Sequence, residues 1–238
     1  MCQENSTFLE YVSQISIILA SLTAIYGVNT WRREYRGKKD ADLAEEALTL
    51  FYKAKDAISA IRNPFSFSNE GASRKPAQNE ADVEKEFRDQ AYIFFERYEK
   101  RQDVFRDLNM MRYRFMARFG KDKAGLFDSI AKITNKILRA ANRWARLHIL
   151  LNRLRKDATE KQQSQIDGWE EIIWDMDEED GMNTEVAKIV NDVENICRPI
   201  ITNTYSSTFT NVKIYFKIFV NSVFSVAKKI RNKMWKRE

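Results

Sequence analysis

The segment Gly120 to Phe127, GKDKAGLF, sets two glycines at the spacing of a loop that cradles phosphate with backbone N–H groups. Such a loop also needs Lys and then Ser or Thr directly after the second glycine, to reach the phosphates and hold magnesium. Leu126 and Phe127 stand there instead, so the segment predicts a turn between two helices. A second pattern is the acidic run from Glu170 to Asp180, in which Asp175, Asp177 and Glu179 alternate as the first ligands of a calcium loop would. Position six of that loop requires Gly for its bend and position twelve a bidentate Glu. Asp180 and Val186 occupy those places, which excludes a dedicated calcium loop.

The remaining reactive side chains are few. The chain holds one histidine, His148, and two cysteines, Cys2 and Cys197, too small a stock for a zinc site or a disulfide framework. His148 falls on an apolar helical stripe with no acidic residue in the next turn, and reads as a packed core residue. Cys197 adjoins another such stripe. No nucleophile has a visible base beside it, and acid–base work would fall on scattered Asp and Glu, which every helical surface carries. The expectation is therefore no enzyme, no catalytic or metal-ligating residue, no cofactor and no small-molecule substrate.

Charge is more informative. Residues 97–156 carry 17 basic and 5 acidic side chains, and residues 160–194 carry 2 basic and 12 acidic. Opposite signs so segregated either pack against each other or leave one face for a charged partner. Arg112, Arg114, Arg118, Lys121 and Lys123 interleave with Tyr113, Phe115 and Phe119, the composition of a stacking and phosphate-binding surface. Phe115 and Phe119, however, lie on the core stripe, which argues against nucleic acid there.

The elements that position these residues are helices. Only 7 Gly and 3 Pro occur in 238 residues, 44% of them hydrophobic and 31% charged, and long stretches lack any breaker. The expected class is all-α, one N-terminal transmembrane helix followed by a cytoplasmic antiparallel bundle of about five helices. Residues 11–31 contain no Asp, Glu, Lys or Arg, and 21 helical residues reach roughly 32 Å against a hydrocarbon core of about 30 Å. Val12, Ile15, Ile17, Ile18, Leu19, Leu22, Ile25 and Val28 drive insertion at about −0.3 to −0.6 kcal/mol each, opposed by Ser, Thr, Gln and Asn between them. Tyr11, Tyr26 and Trp31 suit the interfaces. Residues 1–10 contain two Glu and no basic residue, unlike a signal peptide. Arg32, Arg33, Arg36, Lys38 and Lys39 follow at once, so the flank is expected inside at the lipid headgroups, with the ten-residue leader outside. Ser16, Ala20, Ala24 and Gly27 form a small-residue ridge along which two copies could approach, or they merely dilute the span.

Beyond the flank, residues 32–64 read as a first cytoplasmic helix with its stripe at Ala44, Leu48, Phe51, Ala54, Ile58 and Ile61, ended by Asn63-Pro64. Residues 65–79 read as a flexible loop. Residues 80–199 read as the bundle: one helix from Glu80 to Phe119, a turn at Gly120, a second long helix to about Leu151, a shorter one through Ile166 and Met176, and another closed by Pro199. Residues 200–238 make a basic amphipathic segment. It either lies on the membrane surface or, the favoured reading, closes the bundle with its terminal Lys228, Lys229, Arg231, Lys233, Lys236 and Arg237 touching lipid headgroups.

The run from Thr30 to Phe67, TWRREYRGKKDADLAEEALTLFYKAKDAISAIRNPFSF, resembles the N-terminal portion of uncharacterised bacterial single-span membrane proteins with a cytoplasmic helical domain. The likeness covers about a quarter of the chain. It implies a bacterial cytoplasmic membrane and a cytosolic helical body, and transfers no site residue. The functional expectation is a membrane-anchored interaction scaffold or sensor whose partners are the lipid bilayer and another protein or a second copy of itself. The alternatives are a membrane-active stress or phage-defence effector and a membrane-tethered nucleic-acid binder.

Overall fold

The structure is a computed structural model describing residues 2–67, 69–176, 180–202, 217 and 221, with the side chains of 2–12, 15 and 19 outside the described set. The described chain is all-α. Helix α1 spans Cys2–Arg62, α2 Asp82–Glu99, α3 Gln102–Phe119, α4 Lys121–Leu154 and α5 Glu160–Ile173. A sixth, α6, covers 181–202. No strand occurs among the described residues. The chain divides into two units, Met1–Asp42 with Pro199–Glu238, and Leu43–Arg198.

Within Leu43–Arg198 the central element is α4, which packs against α2, α3 and α5. Its buried face, Phe127, Ile130, Ile133, Ile137, Ala141, Ala145 and Ile149, repeats at three and four residues, the period that keeps side chains on one side of a helix. Residues of α1 supply the facing layer: Ala44, Phe51, Ala54, Ile58 and Ile61 are each at most 1% exposed. Phe51 meets Phe127 edge to face, ring centroids 4.8 Å apart, the arrangement the ring quadrupoles favour. Each fully buried Ile or Phe contributes about 1.5–3 kcal/mol.

The expected hairpin about Gly120 is present. Gly120 has φ +97, a conformation that favours glycine, and it ends α3 and begins α4 in a single residue. Arg112 pairs with Asp128 beside the turn and Glu84 with Arg153 at the far end, so α4 runs antiparallel along α3 and then α2. The helix expected over 80–119 is broken at Lys100 and Arg101; Lys100 keeps helical dihedrals and Arg101, at φ −122 and ψ 13, leaves them. Glu99 to Asp103 has no apolar side chain to bury, so packing does not oppose the break there. The helix expected to close at Pro199 instead continues to 202. Proline lacks the N–H of one intrahelical bond, and its neighbours nevertheless stay helical.

Two buried arginines finish helices other than their own. Arg62, 0% exposed, donates from Nε to Ile172 O at 2.9 Å and from Nη2 to Glu171 O at 2.9 Å and Trp174 O at 2.7 Å. These are C-terminal carbonyls of α5, which have no intrahelical donor. The same guanidinium reaches the Asp180 carboxylate and, at 3.1 Å, Asn183 Oδ1. Asp180 Oδ1 in turn accepts from Met182 N at 2.6 Å, so it also caps α6. Arg97, 4% exposed, does the equivalent for α1, donating to Ile61 O, Asn63 O and Phe65 O at 3.2, 2.6 and 2.7 Å and pairing with Glu70 at 2.6 Å.

The connection from Asn63 to Ala81 is tied to α2. Gly71 N donates to Glu96 Oε2 at 2.8 Å, Ser73 Oγ to the same oxygen at 3.1 Å, and Arg74 pairs with Asp89 and Glu80, each at 2.6 Å. Gly71 sits at φ +84, and a Cβ there would lie 2.4 Å from Asp89 O.

Candidate functional site

Considered within Met1–Asp42, the uncharged run is helical, and its apolar side chains lie open. Ile17, Ile18, Leu22, Ile25 and Val28 are 52–63% exposed. Among the described residues no helix is long and apolar enough to cross a membrane. Tyr11, Val12, Ile15 and Leu19, three of which are among the most apolar members of the run, fall outside the described side chains. Ser16, Ala20, Ala24 and Gly27 are all exposed, and nothing lies within 4 Å of a Cβ built on Gly27. Arg32, Arg33, Arg36, Lys38 and Lys39 are exposed too. Trp31 stacks on Tyr35 with centroids 5.8 Å apart, and Lys39 Nζ lies 4.7 Å from the Tyr35 ring centre, a cation held against an aromatic face. Lys228, Lys229, Arg231, Lys233, Lys236 and Arg237 lie outside the described residues.

The basic and aromatic cluster of α3 does not assemble as a stacking surface. Phe115 is 1% exposed and packs on Phe119 and Phe127. Arg112 is held by Asp128 at 2.9 Å and Arg114 by Glu46 at 2.8 Å. Tyr113 alone of the three aromatic residues is open to solvent.

His148 is half-buried between Phe87, its ring 4.9 Å away and nearly parallel, and Trp144 at 4.5 Å. Its Nε2 is buried with no hydrogen-bond partner among the described residues. Burial disfavours the imidazolium and lowers its pKa below the usual 6.5, and the Glu170 carboxylate opposes that shift. Glu170 accepts from Trp144 Nε1 at 2.8 Å. Cys197 is fully buried, and burial raises its thiol to about 11, far from a reactive thiolate. Asp175, from the acidic run, accepts from Asn183 Nδ2 at 2.6 Å and from Ser59 Oγ at 3.4 Å. Together with Lys55 these groups border a cleft of about 330 Å³. Among the described residues no group of three His, Cys, Asp or Glu is placed to hold a metal ion.

The strongest unpartnered feature is on α4. Lys132, Lys136, Arg139, Arg143 and Arg146 recur at four, three, four and three residues and are all exposed. That spacing drifts little around the helix, so the five cations form one ridge opposite the buried stripe. Lys136 pairs with Glu185 at 3.3 Å. Arg139 Nε donates to Asn135 O at 3.0 Å. Among the described residues Lys132, Arg139, Arg143 and Arg146 have no carboxylate partner. Beside the ridge, Lys136, Arg139 and Arg143 border a cleft of about 240 Å³ whose other walls are Ala140, Ile172 and the half-buried Trp169. The sequence reading missed this ridge, whose signal is a 3,4 repeat of Lys and Arg complementary to the apolar repeat of the same helix. The cleft has no such signal, because Trp169 comes from α5.

Comparison with protein-family models, curated proteins and solved structures finds no match to the chain.

Proposed function

We propose that the chain is a membrane-anchored helical interaction protein: residues 11–31 enter a bilayer, and the unit Leu43–Arg198 binds a partner on the cytoplasmic side. What carries this is the exposure of Ile17, Ile18, Leu22, Ile25 and Val28 on a stretch that has no Asp, Glu, Lys or Arg. In water such a patch demands a cover, and a bilayer supplies one over the whole circumference of a helix. The exposed cations from Arg32 to Lys39 support the same reading, because basic residues next to a span attract anionic headgroups and stay on the cytoplasmic side.

The test is fractionation of the full-length chain from bacterial cells. It should sediment with membranes, resist alkaline carbonate and come out in detergent, with reporters placing the C-terminus inside. Leu22→Lys with Ile25→Lys adds about 2.5–3.5 kcal/mol per cation at the centre of the run and should move the protein out of the membrane fraction. A wild-type chain that is monodisperse without detergent would overturn the proposal.

A further inference from the structure

The ridge on α4 and the cleft beside it belong together. From Lys132 to Arg146 is 14 residues, about 21 Å of helix. Among the described residues four of its cations have no carboxylate partner, so a ligand need not break an ion pair with any of these residues to reach them. Along the axis they are separated by seven, four and three residues, a mean of about 7 Å, of the order of the interval between phosphates on an extended strand. The cleft bordered by three of the five is about 240 Å³, below the roughly 300–1,000 Å³ of pockets that enclose whole small molecules. It suits one flat ring laid beside Trp169, with the rest of the ligand outside on the cations. A lipid headgroup layer has no such ring, and a flat membrane does not enter a cleft. A duplex keeps its base faces stacked and offers none.

We propose that this surface binds single-stranded nucleic acid, with Lys132, Arg139, Arg143 and Arg146 each paired to a phosphate along the strand and a base stacked in the cleft against Trp169. Each ion-paired phosphate on a single strand contributes about −0.7 to the slope of log affinity against log salt, and each stacked base about 5- to 150-fold in affinity. The surface lies wholly within Leu43–Arg198, so it does not depend on whether residues 11–31 enter a bilayer.

The experiment is fluorescence anisotropy of a labelled twelve-residue oligothymidylate titrated with the full-length chain in non-ionic detergent. Four contacts predict a slope near −2.8 and about 50-fold weaker binding between 50 and 200 mM salt. Arg139→Gln with Arg143→Gln should halve the slope, so that the same salt change costs only about 7-fold. Trp169→Ala should weaken binding at least 5-fold with the slope unchanged, and Trp169→Phe should restore most of it. Lys121→Gln with Lys123→Gln, away from the ridge, should change nothing. The duplex of the same sequence should bind at least tenfold more weakly. Circular dichroism confirms that each variant is folded. Equal affinity for the duplex, equal competition by polyglutamate, binding of anionic vesicles through the same arginines in place of the oligonucleotide, or no binding at 50 mM salt would each overturn the proposal.

Discussion

Replacing Arg62 by Met keeps a long buried side chain while removing every donor of the guanidinium. In the wild-type structure that group satisfies three carbonyls at the end of α5, Asn183 and the Asp180 carboxylate, with Arg62 at 0% exposure. Arg62→Met leaves a nearly buried carboxylate without its counter-charge and three backbone acceptors without donors. Removing one member of a buried pair costs about 3–5 kcal/mol, a large fraction of the about 5–15 kcal/mol that holds a domain folded. For a unit of this size each kcal/mol lowers Tm by about 2–4 °C, so thermal unfolding followed by circular dichroism should show a fall of about 6–20 °C. Arg62→Lys keeps the charge without the planar fork and should lie between the two. Asp180→Asn keeps an acceptor for Met182 N but leaves the buried Arg62 charge without its counter-charge, so it should also cost about 3–5 kcal/mol. A Tm for Arg62→Met within about 2 °C of wild type would refute the view that this side chain joins the end of α5 to the start of α6.

Gly71→Ala should cost at least about 2 kcal/mol, because it combines a left-handed backbone with a Cβ placed 2.4 Å from Asp89 O; trypsin should then cut faster after Arg74. His148, held neutral by burial with Glu170 opposing, binds protons more readily unfolded than folded, so its contribution is full above about pH 6.5 and is lost as pH falls below that value. Urea midpoints should therefore decline between pH 7 and 5, and His148→Phe should flatten that part of the profile. The carboxylates of Glu70 and Glu96, lowered chiefly by hydrogen bonds from Arg97 and Lys100 respectively, act in a separate window below their usual 4.5. In a Cys2→Ser background Cys197, at about 11, should resist alkylation at pH 8 when native and react when unfolded; equal labelling in both states would contradict its burial.

Much of the fold was legible in the chain because helices announce themselves locally. The 3,4 stripe of α1 from Ala44 to Ile61, the hairpin at Gly120 and the stripe of α4 each follow from side chains on one face or from a conformation only glycine adopts easily. Some boundaries were not legible. The break at Lys100 and Arg101 has no Gly or Pro to mark it, and the exposed Pro199 did not end α6, since local propensity is only a weak guide to where a helix ends. The α3 cluster of Arg112, Arg114 and Phe115 showed its composition but not its commitments to Asp128, Glu46 and the core.

By itself the sequence determined which faces are apolar, where the uncharged run lies and that α4 carries a basic ridge, since all three depend only on residue order and the period of a helix. Tertiary structure alone decided that Arg62 and Arg97 are buried caps, that Asp180 is taken up by Arg62, and that Trp169 stands beside Arg139 and Arg143. The reason is that ion pairs and clefts join residues far apart in the chain, and their formation depends on how helices dock, which no local pattern encodes.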